Sequence, residues 1–343
     1  MSVTIKDVAK KAGVSPSTVS RVLSNHPRIS RETTKKVKEI MEELGYHSNI
    51  MARSLVSNKT YTLGMILPRP AEELFQNQFF AENIRGITTQ ASRNGYDLLM
   101  TTGNSEQGEL EAVTRLVKGR RVDGIILLQS RKNDPIIEFL KKEAFPFILI
   151  GHNREDDDIL CVDNDNVQAA FDATQHLISQ GHERIGFVSG PPNLTVSVDR
   201  LEGFRKAMDL SGLRVQPEWI VEGEFLQESG YRAMSFFMNL PERPTALVVV
   251  DDLVTFGVLR GLNELGFKVP EDLSLVSFNN IALAELSTPP LSSIDIGIYQ
   301  LGYMASQQLI RHIQGDKPQQ TCVIVPHRLI VRESSLNQKN KRS

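Results

Sequence analysis

Residues 4–23 read TIKDVAKKAGVSPSTVSRVL and predict two short amphipathic helices joined by a tight turn. Thr4 can cap the first helix, and Gly13 supplies the left-handed turn that ends it. Ser15 can cap the second helix and is followed by Pro16 at the first helical position, where a missing N–H costs nothing. Two helices around such a turn are typical of units that place the second helix in the major groove of DNA.

The second helix presents short polar side chains and one arginine away from its apolar face. Short side chains let a helix end approach base edges, and an arginine can bond a guanine bidentately. The predicted DNA contacts of this head are Thr4, Ser15, Pro16, Ser17, Thr18, Ser20, Arg21, Asn25 and Arg28. An ordinary helical hairpin is the alternative interpretation.

Two neighbouring features weigh against the ordinary hairpin. Ser30 opens a third predicted helix whose apolar residues recur at helical spacing, which completes a three-helix core. Residues 1–60 contain eleven Lys and Arg against five acidic residues, a net charge of +6, whereas the whole chain carries −2. A basic head on an acidic body confines the phosphate-attracting surface to one end of the chain.

These features resemble the LacI/GalR family of bacterial repressors, and the resemblance runs from Val3 to about Val331. It implies a helix-turn-helix DNA-binding domain over residues 1–47 and a hinge over residues 48–60. In the family this hinge is disordered in the free protein and helical on the operator. There, a leucine from each of two subunits wedges into a minor-groove step, and such a wedge kinks the duplex.

The hinge of this chain contains residues that match those family positions. Asn49, Ala52 and Leu55 are the matching residues, and Arg53 beside them is also predicted to contact DNA. The alternative for Leu55 is a leucine in a solvated linker.

Length and composition describe an ordinary globular protein. The chain has 343 residues, which suggests two or three domains, with 40% hydrophobic and 23% charged residues. No apolar run approaches 18 residues and the N-terminus has no apolar signal segment, so we expect a cytoplasmic protein without a membrane partner. Cys161 and Cys322 are predicted to be small core residues, with no disulfide, metal site or cofactor.

From residue 62 onward, continuous apolar runs alternate with helical patterns. This order predicts an α/β fold of parallel strands that are buried on both faces. The predicted strands are 63–67, 97–100, 124–128, 147–150, 185–188, 246–250 and 275–278. These are too many for one sheet, so we predict two doubly wound parallel-sheet subdomains behind the all-α head.

The order of the subdomains comes from resemblance to type I periplasmic sugar-binding proteins. That resemblance implies an effector-binding and dimerisation domain over residues 61–335, followed by a disordered tail at 336–343. The N-subdomain would comprise 61–161 and 293–320, and the C-subdomain 162–292 and 321–335. In such folds the ligand sits at the carboxyl ends of the strands, here in the cleft between the subdomains.

Residues at those strand ends match effector-binding positions of the family. They are Phe79, Phe80, His152, Arg200, Phe225, Asp251 and Asn279. In the family the arginine forks onto two vicinal hydroxyls, a geometry that a planar guanidinium supplies. Each residue also has a structural interpretation: the aromatic rings as core, Arg200 as a solvated helix-start arginine, His152 as a surface-loop histidine, and Asp251 as a helix cap.

One departure from the family pattern affects the expected ligand contacts. Relatives usually carry Asn-Asp after the strand at 246–250 and Asp-Asp or Asp-Asn after the strand at 275–278. This chain has Asp251-Asp252 and then Asn279-Asn280. A carboxylate accepts hydrogen bonds whereas an amide also donates them, so the sugar would be read from the opposite wall of the cleft.

The chain lacks the sequence signatures of common enzymes. It has no Gly-x-Ser-x-Gly elbow, no Gly-x-Gly-x-x-Gly turn, no Gly-Lys-Ser/Thr loop and no His-Glu-x-x-His pair, so no catalytic residue is assigned. The remaining alternative from another class is a cytosolic small-molecule-binding protein without a DNA function, and the basic head weighs against it.

The sequence therefore predicts a transcriptional regulator that binds double-stranded operator DNA as a homodimer. Within the family it resembles maltose-operon regulators of Gram-positive bacteria, through its Pro-Ser-Thr, Gln-Phe-Phe and Ser-Phe-Asn-Asn segments. That resemblance implies a sugar-responsive repressor whose effector is maltose or a related α-glucoside. The alternatives are another sugar or a purine-like corepressor.

Overall fold

The chain begins with a three-helix head. The computed structural model describes residues 3–23, 28–46, 59–68, 77–318 and 320–336. The helices of the head are α1 (Ile5–Ala12), α2 (Pro16–Leu23) and α3 (Arg31–Glu43). Val8, Val19 and Val37, one from each helix, are completely buried in its core. The predicted three-helix unit is therefore confirmed.

The predicted helix boundaries of the head are formed by local hydrogen bonds. Gly13 has a φ of 69°, in the left-handed region, and ends α1. The Ser15 hydroxyl accepts from the backbone N–H of Thr18 at 3.1 Å, and the Ser30 hydroxyl accepts from Thr33 at 3.1 Å. Both serines therefore satisfy an N–H group that the first turn of a helix would otherwise leave unpaired.

Alternating strands and helices follow the head. The strands are β1 (Thr62–Leu67), β2 (Asp97–Thr102), β3 (Gly124–Leu127), β4 (Phe147–Ile150), β5 (Cys161–Asp163), β6 (Ile185–Ser189), β7 (Ile220–Glu222), β8 (Ala246–Val249), β9 (Ser274–Phe278), β10 (Ser292–Asp295), β11 (Cys322–Ile324) and β12 (Arg328–Ile330). The helices are α4 (Gln78–Arg93), α5 (Glu106–Lys118), α6 (Pro135–Lys142), α7 (Asn166–Ser179), α8 (Thr195–Leu210), α9 (Gln227–Met238), α10 (Asp252–Glu264), α11 (Ala282–Leu286) and α12 (Ile298–Gln314).

The strands form two six-stranded sheets. One has the order β11-β5-β4-β3-β1-β2 and is entirely parallel. The other has the order β12-β10-β9-β8-β6-β7 and is parallel except for the antiparallel pair β10 and β12. All seven predicted apolar runs are strands of these sheets, which confirms the doubly wound α/β architecture.

The predicted subdomain boundaries near the C-terminus were wrong for two short strands. The prediction placed β10 in the N-subdomain and β11 in the C-subdomain. Hydrogen bonding places β10 beside β9 in the second sheet, and β11 beside β5 in the first. The chain therefore crosses between the subdomains after β5, between β10 and α12, and between β11 and β12.

One buried side chain ties these three crossings together. The Asn164 amide nitrogen donates to the carbonyl oxygens of Ile296 at 2.9 Å and Val325 at 2.8 Å. The backbone N–H of Val325 in turn donates to the carbonyl of Asp163 at 2.7 Å. The connections between the subdomains are therefore hydrogen bonded to one another beside the cleft.

The expectation of two unpaired cysteines was wrong. Cys161 and Cys322 form a disulfide, with a Cα–Cα distance of 4.4 Å. They occupy matching positions of the adjacent parallel strands β5 and β11. A separation of 161 residues in sequence hides this proximity, because β11 joins the sheet only after the chain has traversed the C-subdomain.

Close helix packing fixes the start of α4 at the cleft. Helix α4 packs along α12, and a Cβ atom on Gly86 would lie 2.2 Å from the carbonyl oxygen of Tyr299. Only glycine permits this approach of two helix backbones. In the described part of the chain, no helix is both long and apolar enough to cross a membrane.

Candidate functional site

The described part of the head exposes the side chains that were predicted to contact DNA. Asp7 accepts hydrogen bonds from the Thr4 backbone at 2.9 Å and from the Thr4 hydroxyl at 2.6 Å, and these bonds lower the pKa of Asp7. Thr4, Ser15, Pro16, Ser17, Arg21 and Arg28 are exposed, and Thr18 and Ser20 are partly exposed. Asn25, Asn49, Ala52, Arg53 and Leu55 lie outside the described residues.

The seven predicted effector contacts come together in one cavity. The residues that line this cavity include Phe79, Phe80, His152, Arg200, Phe225, Asp251 and Asn279. The cavity lies between the two sheets, at the carboxyl ends of their strands. Side chains that are separated by up to 200 residues in sequence therefore share one site.

Arg200 is a buried residue of the cavity wall. Only 4% of it is exposed, so the solvated helix-start interpretation was wrong. Its Nε donates to Asn166 Oδ1 at 3.0 Å, its Nη1 donates to the carbonyl of Val250 at 2.5 Å, and its guanidinium lies 4.2 Å from the ring centre of Phe278. Burial lowers the pKa of Arg200 to about 10, against the opposing charge of Asp251. The guanidinium is therefore held in place before any ligand arrives.

Asp251 is both a helix cap and part of the cavity wall. Its Oδ1 accepts from the backbone N–H of Leu253 at 2.6 Å, which caps α10. Its Oδ2 accepts from the amides of Asn279 at 2.7 Å and Asn77 at 3.3 Å. Burial raises the pKa of Asp251, and the hydrogen bond from Asn77 opposes that rise. The helix-cap interpretation is therefore confirmed, and a contact between Asp251 and the effector stays a prediction.

The asparagines after β9 adopt an unusual backbone conformation. Asn279 has a φ of 101° and Asn280 a φ of 50°, both in the region that asparagine tolerates better than most residues. Asn279 faces the cavity, and its amide bonds Asp251 directly. The departure from the family pattern, a carboxylate at Asp251 and an amide at Asn279, thus produces a hydrogen-bonded pair in the cavity wall.

Asp252 lies next to Asp251 in sequence but does not line the cavity. Its Oδ2 accepts from the backbone N–H of Ile281 at 2.8 Å, and its Oδ1 accepts from the Ser293 hydroxyl at 2.9 Å. Burial raises its pKa to about 7. This carboxyl group therefore fixes the loop after β9 to the start of α10.

His152 belongs to a charged cluster at one side of the cavity. Its Nδ1 lies 2.7 Å from Asp163 Oδ2 and 3.7 Å from Asp199 Oδ2. The hydrogen bond with Asp163 raises the pKa of His152. Burial raises the pKa of Asp199, although Arg154 donates from Nε to its Oδ1 at 2.7 Å. The surface-loop interpretation of His152 was therefore incomplete, because the ring is half-buried against two carboxylates.

Three aromatic rings line the apolar side of the cavity. The rings of Phe79 and Phe80 meet edge to face, with centroids 5.2 Å apart. Phe80 is buried, whereas Phe79 and Phe225 are partly buried and pack against the main core. The core interpretation is thus compatible with a place in the cavity wall.

Direct hydrogen bonds join the two subdomains beside the cavity. The backbone N–H of Thr195 donates to the carbonyl of Ser130 at 3.1 Å, and the two hydroxyls are also 3.1 Å apart. Lys132 donates from its backbone N–H to the carbonyl of Asn193 at 3.0 Å. The cleft is closed along this edge.

Sequence reasoning missed several polar residues of the cavity. They are Asn77, Gln129, Ser130, Asp163, Asn164, Asn166 and Thr195. Most follow a strand or begin a helix, which is the signal that marked the others. That signal alone does not separate a residue that faces the cavity from one that only caps a helix.

Comparisons with known proteins identify the family. Residues 4–49 match the family of bacterial regulatory proteins of the lacI type, and residues 174–335 match a periplasmic binding protein-like domain. The HTH-type transcriptional regulator MalR of Streptococcus pneumoniae is 38% identical over 96% of this chain and 99% of its own. The chain belongs to the LacI family. It is a helix-turn-helix transcriptional repressor.

Solved structures support the same assignment over the whole chain. A lac repressor dimer bound to operator and an anti-inducer has a TM-score of 0.85 at 25% identity, covering 98% of this chain and 100% of the other. A complex of the transcriptional regulator CelR with cellobiose has a TM-score of 0.76 at 30% identity, covering 97% and 99%. This LacI-family repressor therefore shares its fold with proteins solved on DNA and with a sugar.

Proposed function

We propose that this repressor binds operator DNA as a homodimer and that a sugar in the cleft changes its affinity for the operator. The observation that carries the effector site is the convergence of the seven expected side chains in one cavity between the subdomains. A ligand there touches both subdomains, so its binding energy depends on their arrangement. A ligand shifts a conformational equilibrium only through such a difference in affinity.

The chemistry of the cavity suits a carbohydrate. Aromatic rings offer apolar faces to the C–H faces of a sugar, and Arg200, Asp251 and Asn279 offer donors and acceptors to its hydroxyls. Nε and Nη1 of Arg200 are engaged within the protein, so Nη2 is the group we assign to the ligand. The cavity lies between the two subdomains, where a ligand can contact both walls at once.

We propose maltose or a related α-glucoside as the effector. The similarity to MalR over nearly the whole chain supports this choice, and the CelR–cellobiose complex supports a disaccharide in general. Another sugar, or a purine-like corepressor, is the alternative outcome. A corepressor would strengthen operator binding, whereas an inducer would weaken it.

The DNA interface that we propose has two parts. The first residues of α2 and Arg21 enter the major groove. Thr4 and Arg28 contact the sugar-phosphate backbone of the DNA and position the head on it. Asn49, Ala52, Arg53 and Leu55 form the minor-groove part. The exposed polar surface at the start of α2 supports the first part, and the second rests on the family resemblance.

We also infer that the protein has no enzymatic activity. The relatives that it matches are transcription regulators, and the cleft is explained by effector binding. Because operator DNA is its target, we expect it to act in the cytoplasm.

Titration of candidate effectors into the full-length protein tests the proposal. Thermal unfolding is measured with maltose, cellobiose, glucose and guanine, and operator affinity is measured by fluorescence anisotropy with the same panel. A ligand at one hundred times its dissociation constant stabilises the folded protein by about 2.7 kcal/mol. We expect maltose to raise the unfolding temperature and to change operator affinity. If no sugar does either, while guanine does both, the cleft binds a corepressor of the purine type.

A further inference from the structure

The charged cluster beside the cavity has the composition of a metal site. His152 Nδ1, one Asp163 oxygen and one Asp199 oxygen all lie within 4.8 Å of one another. Among the described residues, these three form the one group of at least three His, Cys, Asp or Glu side chains that lie close enough together to hold a single ion. His152 and Asp163 come from the N-subdomain, whereas Asp199 lies on α8 of the C-subdomain.

One atom of this cluster lacks a hydrogen-bond partner. Asp199 is 1% exposed, and its Oδ2 accepts no hydrogen bond in the described part of the chain. Arg154 donates to the other oxygen, Oδ1. His152 Nδ1 carries at most one proton, which lies between this nitrogen and Asp163 Oδ2, 2.7 Å away. Asp199 Oδ2 is 3.7 Å from the same nitrogen and receives no hydrogen bond from it. A buried carboxylate oxygen without a donor is costly, and a cation removes that cost.

We propose that His152, Asp163 and Asp199 bind one divalent transition-metal ion at the wall of the cleft. One imidazole nitrogen and two carboxylate oxygens form a ligand set that Zn²⁺ takes in proteins, with further positions left open. Bond lengths of about 2.0–2.2 Å place tetrahedral ligand atoms roughly 3.4 Å apart. The distance from His152 Nδ1 to Asp199 Oδ2 is already close to this value.

Binding of the ion requires a small local adjustment. The His152–Asp163 distance of 2.7 Å must open when the ion replaces the proton between them. The imidazole binds the ion through an unprotonated Nδ1: an imidazolium releases one proton to solvent, whereas a neutral imidazole moves its proton to Nε2. The open coordination positions face the cavity that His152 and Asp163 line, where they can accept water or a hydroxyl of the effector.

The ion would also link the two subdomains. Two ligands lie on one side of the cleft and one on the other, so the complete ligand set exists only when the cleft is closed. Binding therefore stabilises the closed arrangement, in addition to the direct hydrogen bonds between Ser130 and Thr195. Imidazole in the set disfavours Mg²⁺ and Ca²⁺, which prefer oxygen ligands.

Calorimetric titration with ZnCl₂ tests this proposal. Tag-free full-length protein is stripped with a chelator and kept oxidised, so that Cys161 and Cys322 offer no thiol. Neither sugar nor DNA is present, so a negative result leaves the proposed effector function standing. We expect about one equivalent of Zn²⁺ to bind to the wild type and to raise its unfolding temperature, with much weaker binding of Mg²⁺ and Ca²⁺.

Three variants separate the site from general surface binding. Asp199→Asn keeps the shape of the side chain, and His152→Gln changes a half-buried loop residue, so unfolding of the metal-free forms shows that each is folded. Both variants should bind Zn²⁺ at least tenfold more weakly. Glu202→Gln, another acid on α8 that contacts Arg154, is the matched control and should bind as the wild type does. Absence of saturable binding to the wild type, or equal binding to all four proteins, would overturn the proposal.

Discussion

Arg200 shows how burial defines the role of a single residue. A solvated arginine samples many side-chain conformations, whereas Arg200 is held in one by Asn166, Val250 and the ring of Phe278. The ordering of its long side chain is thus completed during folding, which lowers the entropy lost when a ligand binds. The same burial means that truncation of Arg200 also lowers the free energy of unfolding, by about 1–3 kcal/mol, because its acceptors on Asn166 and Val250 lose their donor.

The buried carboxyl group of Asp252 predicts a pH dependence of stability. Its pKa rises from 3.8 to about 7 on folding, so the folded state binds a proton that the unfolded state has released. The stabilisation that this proton provides is complete below pH 4 and is lost as the pH rises through 7, by up to about 4 kcal/mol. Asp252→Asn keeps the hydrogen-bond geometry without a charge. We expect its free energy of unfolding, relative to wild type, to increase between pH 5 and pH 8 in denaturant titrations.

An exposed acid at the end of α8, Asp209, provides the control for this measurement through the variant Asp209→Asn. A constant difference between Asp252→Asn and the wild type across the pH range would show that the carboxyl group is ionised throughout.

The recognition helix α2 predicts a loss of specificity at one position. Arg21 is exposed on the face that carries the short polar residues. We expect the Arg21 guanidinium to bond a guanine bidentately. Arg21→Ala should then weaken binding to the correct operator by about 1–3 kcal/mol and relax the base preference at one position of each half-site. Binding of operator variants, measured at fixed salt, reports this. Arg28→Ala, at a residue that we place on the sugar-phosphate backbone, should instead weaken binding equally across operator sequences. An equal loss across sequences for Arg21→Ala would show that Arg21 does not read a base.

The hinge predicts a different defect. Leu55→Ala should remove the minor-groove wedge and reduce operator affinity, while thermal shifts with the effector stay unchanged. Non-specific binding to DNA should largely remain, because it depends on phosphate contacts. Gel shifts with operator and with random DNA separate these effects. A variant that loses both kinds of binding in parallel would contradict the wedge.

The disulfide predicts a redox dependence of stability. It joins β5 to β11 and closes a loop of 161 residues, which contributes about 5 kcal/mol in the chain-entropy account. Treatment with a reductant should therefore lower the midpoint of denaturant unfolding of the wild type. The double variant Cys161→Ser with Cys322→Ser should unfold at the same midpoint as the reduced wild type, with or without the reductant. Identical midpoints in the oxidised wild type and the double variant would show that the disulfide contributes nothing.

Aliphatic, buried strands and capped helices were predictable from the sequence, whereas strands without a continuous apolar run were not. Strands such as β3 and β8 have continuous apolar runs, and capped helices such as α1 have local signals at both ends. Strands β5 and β10 include polar residues and β11 has only three residues, so no apolar run marks them, and their sheet is decided by distant partners. The same limit hid the pairing of the cysteines and the approach of Asp163 and Asp199.

At the scale of the whole molecule, one chain combines a DNA-binding head with a separate effector cavity. The cavity contacts both subdomains, and the three crossings that connect them are fixed by Asn164. A ligand that favours one arrangement of the subdomains would therefore influence DNA binding through the dimer. It would change how the two protomers orient their DNA-binding heads on the operator. Since coupling is reciprocal, operator DNA should change the affinity for the effector by the same factor.

The most direct test is operator affinity with and without saturating maltose, for the wild type and for Arg200→Lys. The lysine keeps the charge and most of the stem, so the variant should still fold and bind operator. Its single ammonium group cannot both replace the bonds to Asn166 and Val250 and reach the ligand. We predict a change in operator affinity of at least tenfold on addition of maltose to the wild type, and little or no change for the variant. A wild type that ignores maltose and every other ligand of the panel, or a variant that responds just as the wild type does, would contradict the claim that this cleft controls DNA binding.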